Sequence, residues 1–440
     1  MRIPGYPSWP ASRRAAQPAS ASSAPIGRAD VTWLGFPRFS WSVTLLGLCV
    51  FTVGVVTARL PTGDIGIAIA AAGLLLQGGK VRLPAPILLY AAFVLWAFAA
   101  SLASPYPELA GQQVIERVKL LVIMVVVVNA LQTEGQLRFY LLLFLACYML
   151  SPARGALQNY ATGYHPFGRA IWSYVYANSN DLATITLLAL GIALAIALSG
   201  TSRTVVRLGA GLSVIPLLLV ILLTQSRGAV IGLVAGMGPT LAALSAKRPL
   251  RAILAGGVLA LVVALTVPAS VWERLSGIAM LTSAETIALA DPEGSAEQRF
   301  AIQKVALQIV IDNPVFGIGL GAYGLENAKY APALGRRDTH NTYLNLAAEA
   351  GLPGLALWCA FVWSVLRYAF VRRRQAGPGE LSTQQAWIER AVWAYLVAGI
   401  FGTYAALTFP YLILAVLWCS ATLLAPSSPV LKEMPRAAKV

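Results

Sequence analysis

Charge is scarce in this sequence. Of its 440 residues, 12% are Asp, Glu, Lys or Arg and 58% are hydrophobic, whereas a soluble domain is about a quarter charged; an ordinary soluble fold is excluded and an integral membrane protein is implied. Acidic residues are scarcer still, 18 against 33 basic ones. The basic excess falls in short segments between apolar runs, which is a topology signal of membrane proteins and not a nucleic-acid-binding face. Histidine occurs only twice, as His165 and His340. The four cysteines, Cys49, Cys147, Cys359 and Cys419, lie inside apolar runs and read as small core residues, with no disulfide expected. The first forty residues lack an apolar stretch long enough for a signal peptide and place Arg2, Arg13, Arg14, Arg28 and Arg38 among Pro, Ser and Ala. Residues 1–39 therefore read as a basic, disordered cytoplasmic tail.

What the chain has in abundance is apolar sequence of membrane-spanning length, roughly 20 residues per crossing. The spans fall near residues 40–58, 64–78, 84–103, 112–131, 137–153, 179–199, 204–223, 227–246, 250–269, 342–370, 387–405 and 408–425. The fold class is thus an all-α integral membrane protein of about 12 transmembrane helices. Spans 1 to 9 occupy 40–269, a large loop 270–341, spans 10 to 12 342–425, and a second tail 426–440. Twelve spans put both termini on one side, and that side carries 21 of the 33 Lys and Arg, so it is cytoplasmic by the positive-inside rule. The loop from Ser270 to Asn341 and the shorter one from Arg154 to Asn178 then face the periplasm or exterior. A polar island this long between spans is where chemistry is expected.

Basic residues left on the outer side need a reason. Arg227, in Thr224-Gln225-Ser226-Arg227-Gly228, stands where the seventh span ends and the eighth begins; a guanidinium at a helix N-terminus makes an anion site, and the structural alternative is snorkelling to lipid headgroups. In the large loop, Ser295 and Gln298 have capping-box spacing, and Ile302, Val305, Ala306 and Ile309 recur at helical intervals. A helix should start there, with Arg299 in its first turn, and stop at Asp312-Asn313-Pro314. Gly317, Gly319, Gly321 and Gly324 follow. No βαβ unit surrounds them, so a dinucleotide loop is rejected. A tight or re-entrant turn packed against the spans is expected, with a phosphate cradle as the functional alternative. Asp338-Thr339-His340-Asn341 leads into the tenth span, where a helix would put His340 on one face with Tyr343, Leu344 and Ala347 above an apolar wall. An imidazole near several outward arginines pairs a possible base with anion binders. Asp291-x-Glu293 is read as solvated acid and not as a metal site.

At this point the residues resemble a family. His340-Asn341, nine residues, then Gly351-Leu352-Pro353-Gly354 is similar to the signature of the O-antigen ligase and polymerase superfamily. Ser226-Arg227-Gly228 resembles its arginine motif, with Ile231 in place of the usual leucine. Arg299, Asn313-Pro314 and the glycine run resemble its large loop, and Asn178-Ser179-Asn180-Asp181 resembles an Asn-Pro-Asn segment with Ser179 for the proline. The resemblance covers Gly168 to Trp358. It implies a GT-C-like enzyme of the bacterial inner membrane, with amphipathic helices in its periplasmic loop. Such an enzyme moves a glycan from undecaprenyl pyrophosphate to an acceptor, without nucleotide sugar, cofactor or required metal.

On that reading His340 accepts the acceptor hydroxyl's proton, Arg227 and Arg299, with Arg169 and Arg336 as further candidates, bind the pyrophosphate, and Asn341, Tyr343 and Asn180 support them. The favoured acceptor is lipid A core, because the loop is moderate in length and no appended acceptor domain is visible. A repeat-unit polymerase and a protein O-oligosaccharyltransferase share the same motifs. Two readings of other classes remain, a lipid-linked sugar flippase and a non-catalytic envelope assembly protein. A flippase would show ionisable residues near the midplane and two similar halves; here the spans carry few such charges, polarity gathers at the outer boundary, and no repeat is apparent.

Overall fold

The structure is a computed structural model that describes residues 39–58, 62–76, 78, 81–200, 202–276 and 295–424. Residues 1–38 of the first tail, all of the second, the Asp291-x-Glu293 step and the side chains of Ser295 and Glu297 lie outside the described residues. The described residues form the helices α1 Val43–Thr57, α2 Gly63–Leu76, α3 Ala85–Ala103, α4 Pro107–Ala130, α5 Glu134–Tyr148, α6 Arg154–Ala161, α7 Ser179–Leu198, α8 Thr204–Leu223, α9 Arg227–Lys247, α10 Pro249–Thr266, α11 Ala269–Ser276, α12 Ser295–Asp312, α13 Tyr323–Tyr330, α14 Thr342–Ala376, α15 Glu380–Ala398 and α16 Thr408–Leu423. Each expected span is centred on a helix. Six segments among the described residues are long and apolar enough to cross a membrane, namely α3, α5 continued through α6, α7, α8, α9 and α14.

Helix α7 is the axis of the bundle, buried on nearly every side by α5, α8, α15 and α16. Around it, close backbone approach is made by small residues: a Cβ on Gly232 would lie 2.4 Å from the Ala394 carbonyl oxygen, and one on Gly236 2.5 Å from the Ala394 nitrogen. Without a hydrophobic drive between helices in lipid, this close packing is what binds α9 to α15. Leu208 and Leu212 on α8 and Leu254, Leu261 and Leu265 on α10 remain exposed, a surface suited to hydrocarbon and not to water.

Three boundaries differ from the sequence reading. The fifth helix does not stop at residue 153: a π-turn over Met149–Ala153 absorbs Pro152 and the helix resumes as α6, so much of the expected outer loop from Arg154 is helical. The eleventh span ends at Ala398, and residues 399–407 form a loop where the sequence suggested two residues between spans. Helix α14 is broken at Gly351, whose φ is +70°. With Pro353 donating nothing, this break frees carbonyls of the preceding turn, and other segments fill them. Ile318 N–H donates to Ala348 O at 3.0 Å, Gly319 N–H to Glu349 O at 2.9 Å, and Trp96 Nε1–H to Ala350 O at 2.8 Å.

A Cβ at Gly351 would stand 1.9 Å from the Val315 carbonyl oxygen. Gly351→Ala is therefore expected to cost at least about 2 kcal/mol, from left-handed backbone strain plus the displaced loop. A thermal melt of the detergent-purified variant against the unsubstituted protein checks this.

Candidate active site

The site assembles at the end of the bundle where α7, α9 and α14 begin. Only Thr224, Gln225 and Ser226 separate α8 from α9. Gln225 takes a left-handed φ of +54° to close the turn, and its side chain donates to Gly168 O at 2.8 Å. That turn makes Arg227 the first residue of α9, half-buried and beside the helix's unpaired N–H groups, as an anion-binding guanidinium requires. Arg169 is fixed close by: its Nε donates to Thr224 O at 2.8 Å and its Nη2 to Asn180 Oδ1 at 2.7 Å. Asn180 stands in the first turn of α7, capped by Asn178, whose Oδ1 accepts the Asn180 N–H at 2.8 Å. Asn180 thus serves Arg169 as an anchor, which suits a supporting role.

His340 is placed by its neighbours. Asn341 caps α14, its Oδ1 accepting the N–H groups of Tyr343 and Leu344 at 3.0 and 3.1 Å. The 399–407 loop clamps both sides of the histidine: Thr339 and Thr403 hydroxyls lie 2.9 Å apart, Thr342 N–H donates to Gly399 O at 2.8 Å, and Thr342 Oγ1 donates to Gly402 O at 2.7 Å. His340 itself has φ +50°. It therefore precedes the helix and does not share a helical face with Tyr343, as the sequence suggested. Tyr343 is turned into the bundle, donating its hydroxyl proton to Leu396 O at 2.8 Å. The same loop reaches α9, since a Cβ on Gly228 would lie 2.6 Å from Phe401 Cβ. One loop thus touches the segments carrying Arg227 and His340.

Arg299 enters from α12. The apolar face of that helix, Ile302, Ala306 and Ile309, packs on Ala347 and Ala348 of α14 through Ile318, Ala322 and Tyr323. This docking brings the Arg299 charge within reach of His340, and the charges of Arg299, Arg169 and Asp181 all act on the buried Tyr404 hydroxyl. The glycine run is the packed turn expected from its composition. It is not a phosphate cradle, because the Ile318 and Gly319 amides are already bonded to α14 carbonyls.

Burial lowers the pKa of His340 below the ordinary 6.5, the Arg299 and Arg337 charges lower it further, and Asp338 opposes them. A lowered histidine pKa means that the imidazole stays neutral, and able to accept a proton, to more acidic pH than a free histidine. If His340 acts as a general base, activity would fall on acidification with a midpoint below 6.5. In Arg299→Ala the midpoint should move to higher pH, because a cation that disfavours the imidazolium is gone. The pH profile of kcat/KM for both proteins checks the sign.

Of the other candidates, Arg336 is exposed, as is the adjacent Arg337, whose charge acts on His340. The ring of His165 lies 4.7 Å from that of Tyr160. The sequence reading missed Phe401, Thr403 and Tyr404 and gave no role to Asp181 or Arg337. The signal for the loop was present in Gly399 and Gly402, which interrupt the apolar run. Among the described residues no group of three His, Cys, Asp or Glu side chains is placed to hold a metal ion.

Residues 212–359, about a third of the chain, match the family described as O-antigen ligase, which supports the resemblance to that superfamily drawn from the sequence and a glycosyltransferase-like enzyme in general. The matched region holds Arg227, Arg299 and His340, while Arg169, Asn180 and the 399–407 loop lie outside it. No curated protein matches the chain.

Proposed function

With residues 212–359 matching O-antigen ligase, we propose that this protein is an inner-membrane glycosyltransferase that moves a glycan from undecaprenyl pyrophosphate to an acceptor, lipid A core oligosaccharide being the favoured one. In this reading about 12 helices cross the membrane in a GT-C-like arrangement, both termini are cytoplasmic, and the end bearing His340 faces the periplasm. What supports the reading is that the 399–407 loop touches both the start of α9, where Arg227 stands, and the segment of His340, that Arg169 is bonded to the α8–α9 turn, and that the Arg299 charge acts on His340. That set matches the needs of displacement from a pyrophosphate.

The acceptor hydroxyl oxygen attacks the anomeric carbon. Its proton passes to the neutral imidazole of His340, and the bond from carbon to pyrophosphate oxygen breaks with its electron pair leaving on the pyrophosphate. Direct displacement inverts the anomeric configuration. Arg227 and Arg299 take up the charge that develops on the leaving group, since planar guanidinium groups bind phosphate oxygens bidentately. Arg169, already holding Thr224 and Asn180, keeps the α8–α9 turn in place and adds positive potential. A groove of about 540 Å³ between α6 and α8, lined by Met149, Arg154, Leu157, Gln158 and Pro216, offers apolar wall and one cation for a lipid carrying phosphate.

Purified protein, incubated with undecaprenyl-pyrophosphate glycan and separately with lipid A core, a repeat unit or a peptide, tests the acceptor. Glycosylated core is the expected product. Elongated glycan or glycopeptide alone would replace the ligase by a polymerase or a protein glycosyltransferase.

A further inference from the structure

The loop between α12 and α13 closes on a carboxylate that the displacement does not use. Glu349 of α14 is only 5% exposed, and an ionisable group inside a spanning helix is costly unless it is held for a reason. Its Oε1 accepts the Tyr323 N–H at 3.2 Å, and the Gly321 amide also faces it. Tyr323 is the first residue of α13, so the carboxylate meets the positive end of that helix. Arg117 of α4, equally buried, supplies opposite charge.

The connection runs on toward the site. The Tyr323 hydroxyl donates to Ile302 O at 2.9 Å, with Asn327 Oδ1 at 3.2 Å, and Ile302 lies one turn from Arg299 on α12. Asn327 Nδ2 donates to Gly335 O at 2.6 Å, at the start of the segment that leads to Arg337 and His340. We propose that Glu349 and Tyr323 are positioning residues. The carboxylate fixes Tyr323, and Tyr323 sets Arg299 at the place opposite His340 where the donor's diphosphate binds. The inference rests on the lipid-pyrophosphate donor proposed above.

Tyr323→Phe removes one hydroxyl and preserves the buried ring, so it separates positioning from packing. Affinity for undecaprenyl diphosphate, and KM and kcat for the lipid-linked donor, are measured for the unsubstituted protein, Tyr323→Phe, Arg299→Ala and the double variant. Tyr323→Phe is expected to weaken diphosphate binding and to lower kcat/KM for the donor about fivefold, and to add nothing once Arg299 is absent, as coupled residues behave. Glu349→Ala should show the same coupling, with Glu349→Gln, which keeps an oxygen acceptor, falling between. Full affinity in Tyr323→Phe, or an effect that adds completely to Arg299→Ala, overturns the positioning role while leaving the donor reading intact. Absence of diphosphate binding and transfer in the unsubstituted protein overturns both.

Discussion

Replacing His340 with asparagine should lower kcat for glycan transfer by about 10³-fold, within the range by which a positioned general base accelerates a reaction. Asparagine is the informative choice, because it tolerates the left-handed backbone that residue 340 adopts at φ +50° while offering no group that takes a proton near neutral pH. The clamp on either side of the histidine is made by Thr339, Asn341 and Thr342 and should survive the change. Steady-state kinetics with lipid-linked donor, beside a thermal melt of the same preparation, distinguishes lost chemistry from lost fold. A melt within a few degrees of the unsubstituted protein together with transfer near the background rate is the expected result.

The second large effect belongs to the arginines. Arg299→Ala and Arg227→Ala should each lower kcat/KM for donor by about 10²- to 10³-fold, the loss seen when one preorganised donor to developing negative charge is removed. Lysine should restore only part of either loss, since an ammonium keeps the charge but not the planar fork that binds two phosphate oxygens. Arg169→Ala is a poorer probe. It also removes the bonds to Thr224 O and Asn180 Oδ1, so its effect mixes charge with the geometry of the α8–α9 turn. Kinetics of each alanine and lysine pair, run at one salt concentration, checks the order alanine below lysine below arginine.

Much of the bundle was legible because long apolar runs have few alternatives to helix in lipid. The end of α12 was legible too, since Asn313-Pro314 cannot continue a helix, and so was the start of α9 at Arg227, where polar Thr224 to Ser226 interrupt two apolar runs. The 399–407 loop was hidden because Ile400, Phe401, Ala405, Ala406 and Leu407 keep its hydropathy high, even though its backbone serves as hydrogen-bond acceptor for the His340 segment. The position of His340 was misread for a different reason. A capping asparagine at 341 implies non-helical backbone before it, yet nothing local announces a positive φ on a histidine. Arg336 and Arg337 are equivalent on paper, and only the path from α13 to α14 decides which of them acts on the imidazole. The glycine run shows the converse case: its spacing pointed to close packing, and the broken helix at Gly351 supplies the surface that it packs against.

In the proposed function His340 and the arginines act as one site on a lipid-linked pyrophosphate. The most direct test is transfer by purified protein from undecaprenyl-pyrophosphate glycan to lipid A core, with the product's anomeric configuration read by NMR for the unsubstituted chain and for His340→Asn. Product with inverted configuration from the first and none above background from the second is predicted. Transfer by the asparagine variant at an undiminished rate, or product that retains the donor's configuration, would contradict it.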